Sequence, residues 1–169
     1  AHTLFEYGQA AADAVAADSN DDALERVVEA NTLLSGIGFE SGGLALAHPM
    51  ALAYTQISDI HDNYLHGEMV AMGTMVQLAM EASEDALKVA RFFARVGLPI
   101  HMEQLSLSPR AAGKLEIIVE SALNNKNTHH MPMPVTRDSL RQAMHDAHEL
   151  GLTVAGEIGD AAYRRMQNR

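Results

Sequence analysis

Two histidines, His48 and His66, are the residues whose type and setting best suit chemistry in this chain. They lie eighteen positions apart, among glycines and alanines that let backbone segments approach closely. A neutral imidazole nitrogen is a good zinc ligand, so two converging imidazoles could form part of a metal site. On one straight helix they would lie roughly 27 Å apart, too far to share an ion. The polar stretch Thr55–Asn63 must therefore reverse the chain if they cooperate. The competing interpretation is a pair of unrelated, hydrogen-bonded or exposed imidazoles.

The composition limits the kinds of site and partner. The 169 residues include no cysteine, so disulfides and thiolate metal sites are excluded, and any metal must be bound by His, Asp or Glu. Twenty-two acidic residues against twelve basic ones give a net charge of −10, which argues against a nucleic-acid partner. Because no run of about 18 apolar residues and no signal peptide are present, we predict a cytoplasmic protein without a membrane span.

The pattern of apolar residues predicts an all-α fold. Alanine, leucine and methionine are plentiful, and no β-branched run alternates with period two. We expect seven or eight helices in one bundle-like domain that spans residues 1–169. Gly36 and Gly38 should end the second helix, and Ser41 should begin a third that carries His48 and kinks near Pro49. Further helices are predicted over residues 3–17, 21–35, 63–82, 84–96 and 108–123, with a last helical region that begins at residue 136 and is broken or bent near residues 151 and 156.

Several stretches resemble the C-terminal, metal-binding domain of the glycerol dehydrogenases, which belong to the iron-containing alcohol dehydrogenase group. The resemblance is strongest in Asn31–Gly43 (NTLLSGIGFESGG), in Leu44–His48 (LALAH) and in the His-Gly-Glu triplet that begins at His66. It continues in order through LFEYG, ALERVVEA, VGLP and HHMP, and it covers most of the chain to about Gly151.

The resemblance implies a fold, an activity and a ligand set. The fold is the all-helical bundle shared by dehydroquinate synthase and the iron-containing alcohol dehydrogenases. The activity is NAD-dependent oxidation of glycerol or another vicinal diol, with zinc bound by His48, His66 and one aspartate. Phe39 would line the substrate pocket, although an ordinary core aromatic is the alternative. Enzymes that the chain resembles often form homo-oligomers through their helical domains.

The sequence also departs from the family pattern. The family's aspartate ligand and its NAD-binding domain would both precede Ala1, so we expect this chain alone to be catalytically inactive. The family has a second histidine shortly after the first ligand, in a His-Asn-Gly setting, whereas Pro49–Tyr54 here reads PMALAY. Because this segment would border the pocket, the departure leaves the identity of the alcohol open.

Other assignments remain open. A dehydroquinate synthase-like enzyme and a non-catalytic helical scaffold that retains the ancestral site are the alternatives to a polyol dehydrogenase. Glu68 points to another side of its helix than His66, so it is not expected to bind the metal directly. Five other histidines are interpreted chiefly as solvated side chains or adventitious metal ligands: His61, His129, His130, His145 and His148. The alternatives are that His61 serves as a surrogate ligand and that His129 and His130, by the resemblance, lie near the active-site cleft.

Overall fold

The structure, a computed structural model, describes residues 1–168 and all of their side chains except that of Phe39. Within residues 1–168 all regular secondary structure is helical, and no strand is present. The prediction of an all-α fold is therefore confirmed. The chain divides into two compact units, the first formed by Ala1–Gly43 and the second beginning at Leu44.

The first unit contains three α-helices: α1 (His2–Ala16), α2 (Asp22–Glu29) and α3 (Ser35–Gly42). A π-helical turn, Ala30–Leu34, joins α2 to α3 without a break. The Asp21 carboxylate accepts the Leu24 N–H at 2.9 Å and caps α2, as the acidic residues at this end suggest.

The predicted helix boundary at Gly36 and Gly38 is wrong, because α3 continues through both glycines to Gly42. A glycine inside a helix costs only about 1 kcal/mol relative to alanine, so it does not have to end one. The chain leaves the helix at Gly43, where φ is +70°, a left-handed conformation that favours glycine.

The predicted third helix from Ser41 to His48 is also wrong. Residues 43–46 are not helical, and a new helix, α4, spans Ala47–Tyr54. Pro49 lies in the first turn of α4, where the missing N–H would have no helical partner. The proline therefore fits the start of a helix and does not kink the middle of one.

The second unit contains α4 and six further α-helices. The helices α4, α6, α8 and α9 pack together around buried apolar side chains, including Met50, Met72, Met75, Ile118 and Leu140. The described helices thus outnumber the seven or eight expected, because short segments such as α5 and α10 are separate elements. The six helices are α5 (Ser58–Asn63), α6 (His66–Met80), α7 (Ala86–Val96), α8 (Ala112–Leu123), α9 (Arg137–Ile158) and α10 (Ala161–Gln167), with 3-10 turns at Met102–Leu105 and Lys126–His130.

Helix α9 begins where the sequence predicts, directly after Thr136, and continues to Ile158. The Thr136 hydroxyl accepts the Ser139 N–H at 3.2 Å, and the Ser139 hydroxyl accepts the Thr136 N–H at 2.9 Å. The alternative of a break near Gly151 and Gly156 is wrong, because α9 is continuous through both. Gly151 instead permits close packing, since a Cβ there would overlap the Ile100 carbonyl oxygen.

None of the helices within residues 1–168 combines the length and apolar character needed to cross a lipid bilayer.

The two glycines of α9 should respond to alanine in opposite directions. We expect Gly151→Ala to lower the free energy of unfolding by about 1–3 kcal/mol, because the new methyl group overpacks a tight backbone contact. Gly156→Ala is the matched control, since nothing lies within 4 Å of a Cβ at that position. It should raise the free energy of unfolding by about 0.5–1 kcal/mol. Urea denaturation measures both, and equal effects of the same sign would contradict the packing role of Gly151.

Candidate metal centre

The structure brings His48 and His66 together. His48 lies in the first turn of α4, His66 is the first residue of α6, and their ring centroids are 5.9 Å apart at an interplanar angle of 54°. The intervening residues 55–65, which include α5, reverse the chain as the polar composition of this segment predicts. Two Zn–N bonds of about 2.0–2.1 Å, added to the radii of two imidazole rings, span a centroid separation of this size.

The position of His48 relative to α6 is fixed by Gly73 and Gln77. A Cβ at Gly73 would overlap the Ala47 carbonyl oxygen, so the two helix backbones meet at this glycine. One turn further along α6, the Gln77 side-chain oxygen accepts the Ala47 N–H at 3.0 Å and caps the start of α4. Residues 66, 73 and 77 recur at the spacing that keeps them on one face of a helix. The face of α6 that carries His66 therefore also holds the helix that carries His48.

The two imidazoles differ in their surroundings. His48 is half-buried, and burial lowers its pKa, with a smaller contribution from the neighbouring His66. His66 is exposed. A lowered pKa favours the neutral imidazole, which is the form that binds metal. Burial therefore suits His48 to act as a ligand, while the exposed ring of His66 leaves one side of the pair open to solvent.

The residues present fit part of a zinc site. Among residues 1–168, no cluster of three or more His, Cys, Asp or Glu side chains is arranged to hold a metal ion. A catalytic zinc site has three protein ligands and one open position. The chain therefore offers two imidazole donors of such a set, and their assignment as zinc ligands stays a prediction.

The structure does not bring the other candidate histidines to this pair. His61 is exposed on α5, and His145 is exposed on α9 beside Asp146. His130 forms a hydrogen bond between its Nδ1 atom and the Leu44 carbonyl oxygen at 2.8 Å, so it holds the segment that leads into α4. The predicted pocket residue Phe39 has a side chain that lies outside the described residues, and its role stays a prediction.

A second histidine pair was not predicted from the sequence. The rings of His101 and His148 lie 5.9 Å apart at 70°, and His148 is 3% exposed. The Nδ1 atoms of both are buried without a hydrogen-bond partner. Burial and the neighbouring His148 lower the pKa of His101, while the carboxylates of Glu103 and Asp160 act in the opposite direction. The two residues are distant in sequence, and their contact depends on the packing of Gly151 against Ile100.

Alanine at Gly73 should disturb the histidine pair. The added methyl group would force α4 and α6 apart, so we expect Gly73→Ala to weaken the nuclear Overhauser contacts between the His48 and His66 ring protons. The free energy of unfolding should fall by about 1–3 kcal/mol. Gly67→Ala is the control on the same helix, because nothing lies within 4 Å of a Cβ there, and it should preserve the contacts. Unchanged ring contacts in Gly73→Ala would show that the close approach does not position His48.

The lowered pKa of His101 should make the stability of the protein depend on pH. An unfolded histidine gains a proton near its ordinary pKa of about 6.5, whereas folded His101 resists protonation because its pKa is lowered. The free energy of unfolding should therefore be insensitive to this group above pH ~6.5 and should fall as pH drops toward the lowered pKa. Urea titrations at a series of pH values should show a shallower fall for His101→Asn. His61→Asn, which changes an exposed histidine, is the control, and identical pH profiles for all three proteins would refute this account.

Comparison with known proteins gives relatives whose names describe the oxidation or reduction of small alcohols and aldehydes. A glycerol dehydrogenase from Escherichia coli is 43% identical over 153 residues, which are 89% of this chain and 41% of that protein. A glycolaldehyde reductase from Halobacterium salinarum is 39% identical over 155 residues, which are 90% of this chain and 42% of that protein. No protein-family model matches the chain.

Solved structures agree with these relatives. The glycerol dehydrogenase of Schizosaccharomyces pombe matches with a TM-score of 0.86 and 33% identity, over 94% of this chain and 41% of that one. A probable glycerol dehydrogenase from Sinorhizobium meliloti matches with a TM-score of 0.85 and 31% identity, over 90% of this chain and 43% of that one. The chain thus spans about two fifths of the length of the relatives it matches. It belongs to the glycerol dehydrogenase family of oxidoreductases.

Proposed function

We propose that this chain is the metal-binding, helical part of an NAD-dependent dehydrogenase that oxidises glycerol or another vicinal diol to the hydroxyketone, dihydroxyacetone in the case of glycerol. The observation that supports the proposal most directly is the 5.9 Å separation of the His48 and His66 rings. Family membership supplies the reaction class, because relatives that cover most of this chain are named for glycerol oxidation.

In the proposed enzyme, His48 and His66 each direct one ring nitrogen at a zinc ion. When bound, zinc supplies Lewis-acid chemistry that lowers the pKa of the substrate alcohol and so favours loss of a hydride from its carbon. Half-burial lowers the pKa of His48 and so favours its neutral form, and the close contact of α4 with α6 holds its ring beside His66. The exposed side of His66 leaves room for a third ligand and for the diol.

We assign the third ligand and the NAD site to another part of a longer protein. Hydride transfer needs an acceptor held against the substrate carbon. Dinucleotide sites of the common kind use a glycine-rich turn between a strand and a helix, and residues 1–168 contain no strand. The relatives are more than twice as long as the segment that matches this chain, which leaves room for such a domain. By resemblance, the third ligand is an aspartate. Alone, the chain is expected to be inactive.

Metal binding tests the ligand assignment. We expect the 169-residue chain to bind one Zn²⁺ or Co²⁺ ion weakly, and both His48→Ala and His66→Ala to reduce that affinity by more than about tenfold. His61→Ala is the matched control, because His61 is an exposed histidine on α5 outside the pair. Isothermal titration calorimetry measures each affinity, and His48→Ala and His66→Ala variants that bind as tightly as the unmodified chain would rule the pair out.

The same variants test the reaction. NADH production from glycerol with added zinc should be absent for the 169-residue chain and present for a longer protein that contains it. His66→Ala in the longer protein should abolish turnover, whereas His61→Ala should not. Turnover by the chain alone would overturn the assignment of NAD to another part of the protein. An inactive longer protein that still binds zinc through the pair would instead favour the non-catalytic scaffold.

A further inference from the structure

The start of helix α6, where His66 lies, is held by the side chain of Glu68. The N-cap residue of α6 is Leu65, which has no side-chain acceptor for the free backbone N–H groups at this end. One carboxylate oxygen of Glu68 accepts the Leu65 N–H at 2.8 Å, which is half of a capping box. A negative charge in the first turn also interacts favourably with the helix dipole. Glu68 therefore stabilises the turn from which the His66 side chain projects.

Helix α10 contacts the same carboxylate. The Gln167 side-chain N–H donates to the second oxygen of Glu68, so both oxygens of this half-buried group are engaged. Two further contacts hold α10 against other parts of the second unit. A Cβ at Gly97 would lie 2.8 Å from the Ala162 carbonyl oxygen, and the Tyr163 hydroxyl donates to the Gln104 carbonyl oxygen. The partner of Glu68 thus comes from a helix that is itself anchored at independent points.

The residue before Leu65 is tied to the same network. The Tyr64 and Ser106 hydroxyls form a hydrogen bond of 2.6 Å. Burial raises the pKa of Tyr163, with smaller contributions from the neighbouring Tyr64 and from the charge of Glu68. The side chains of Tyr64 and Glu68, on either side of Leu65, are therefore held by hydrogen bonds from the turn that ends at Ser106 and from α10.

We propose that Glu68 is a positioning residue for His66, and that α10 braces it. Glu68 lies two residues after His66, about 200° around the helix, so it cannot share the direction of the imidazole and must act through the backbone of the first turn. The His66 side chain is exposed, so surrounding atoms restrict its direction less than they restrict that of His48. The orientation of the ring toward His48 therefore depends on how well the start of α6 is fixed. The inference rests on the proposed function only in taking His66 to be a metal ligand.

The experiment compares Glu68→Ala and Glu68→Gln with a cap variant elsewhere in the second unit. Glu68→Gln keeps an oxygen that can accept the Leu65 N–H, so it is the conservative variant. Thr136→Ala removes the cap of α9 and serves as the control for a general loss of stability. Gln167→Ala removes only the brace from α10. Each variant of the 169-residue chain is examined for nuclear Overhauser contacts between the His48 and His66 rings without metal, and for the affinity and visible spectrum of bound Co²⁺.

We expect Glu68→Ala to lose the ring contacts, to weaken Co²⁺ binding by about 10–100-fold and to alter the Co²⁺ spectrum, as is usual when a group that orients a ligand is removed. Glu68→Gln should recover most of the affinity, and Gln167→Ala should show a smaller loss in the same direction. Thr136→Ala should lower the urea midpoint without changing the ring contacts or the spectrum.

Two results would overturn the proposal. One is a Glu68→Ala protein with the ring contacts, Co²⁺ affinity and spectrum of the unmodified chain, while His66→Ala abolishes binding. The other is a Thr136→Ala protein that loses the ring contacts as Glu68→Ala does, because the effect would then be one of stability alone. If the unmodified chain binds no Co²⁺ but the ring contacts respond as expected, the positioning role stands and the proposed metal site fails.

Discussion

The contact of the α4 and α6 backbones at Gly73 is the constraint on which the rest of the candidate site depends. The Ala47 carbonyl oxygen occupies the space that a Cβ would need, and the adjacent residue is His48. Helices that pack through side chains keep their axes about 8–10 Å apart. A residue without a side chain at position 73 lets the start of α4 touch the α6 backbone directly. Gln77 then fixes the approach by accepting the Ala47 N–H.

The features of the fold and of the candidate site that depend on residue type and local sequence could be predicted. His48 and His66 are candidates from their residue type and setting and, as a pair, from the family resemblance, and the reversal between them is predicted from the polar residues 55–63. Helical composition predicts the fold class, and the last helical region is predicted to begin at Thr136, where the structure shows the Thr136 hydroxyl and the Ser139 side chain satisfying each other's backbone N–H groups. Each of these inferences depends on interactions within a few residues, where the physical rules for helices apply directly.

Features that depend on distant contacts could not be predicted in the same way. Gly36, Gly43, Gly73 and Gly151 are the same residue in sequence, yet one is tolerated inside a helix, one ends a helix and two allow another backbone to touch. Only the packing of other segments distinguishes them. The contact of His101 with His148 is of the same kind, because it requires α9 to meet the segment that follows Gly97. Proline was misjudged for a related reason, since its effect depends on which turn of a helix it occupies.

The unlike exposure of His48 and His66 has a consequence for any ion held between them. His48 is half-buried beside the contact of α4 with α6, whereas His66 is exposed, so in the proposed site the side of His66 is the more open approach for further ligands. A carboxylate from another part of a longer protein and a diol hydroxyl would both have to approach from there. In the proposed site, the histidine that is less restrained by burial would therefore face the reacting groups, and the orientation of its ring would depend on the hydrogen bonds at the start of α6. Burial would then fix one proposed ligand, and helix capping would fix the other.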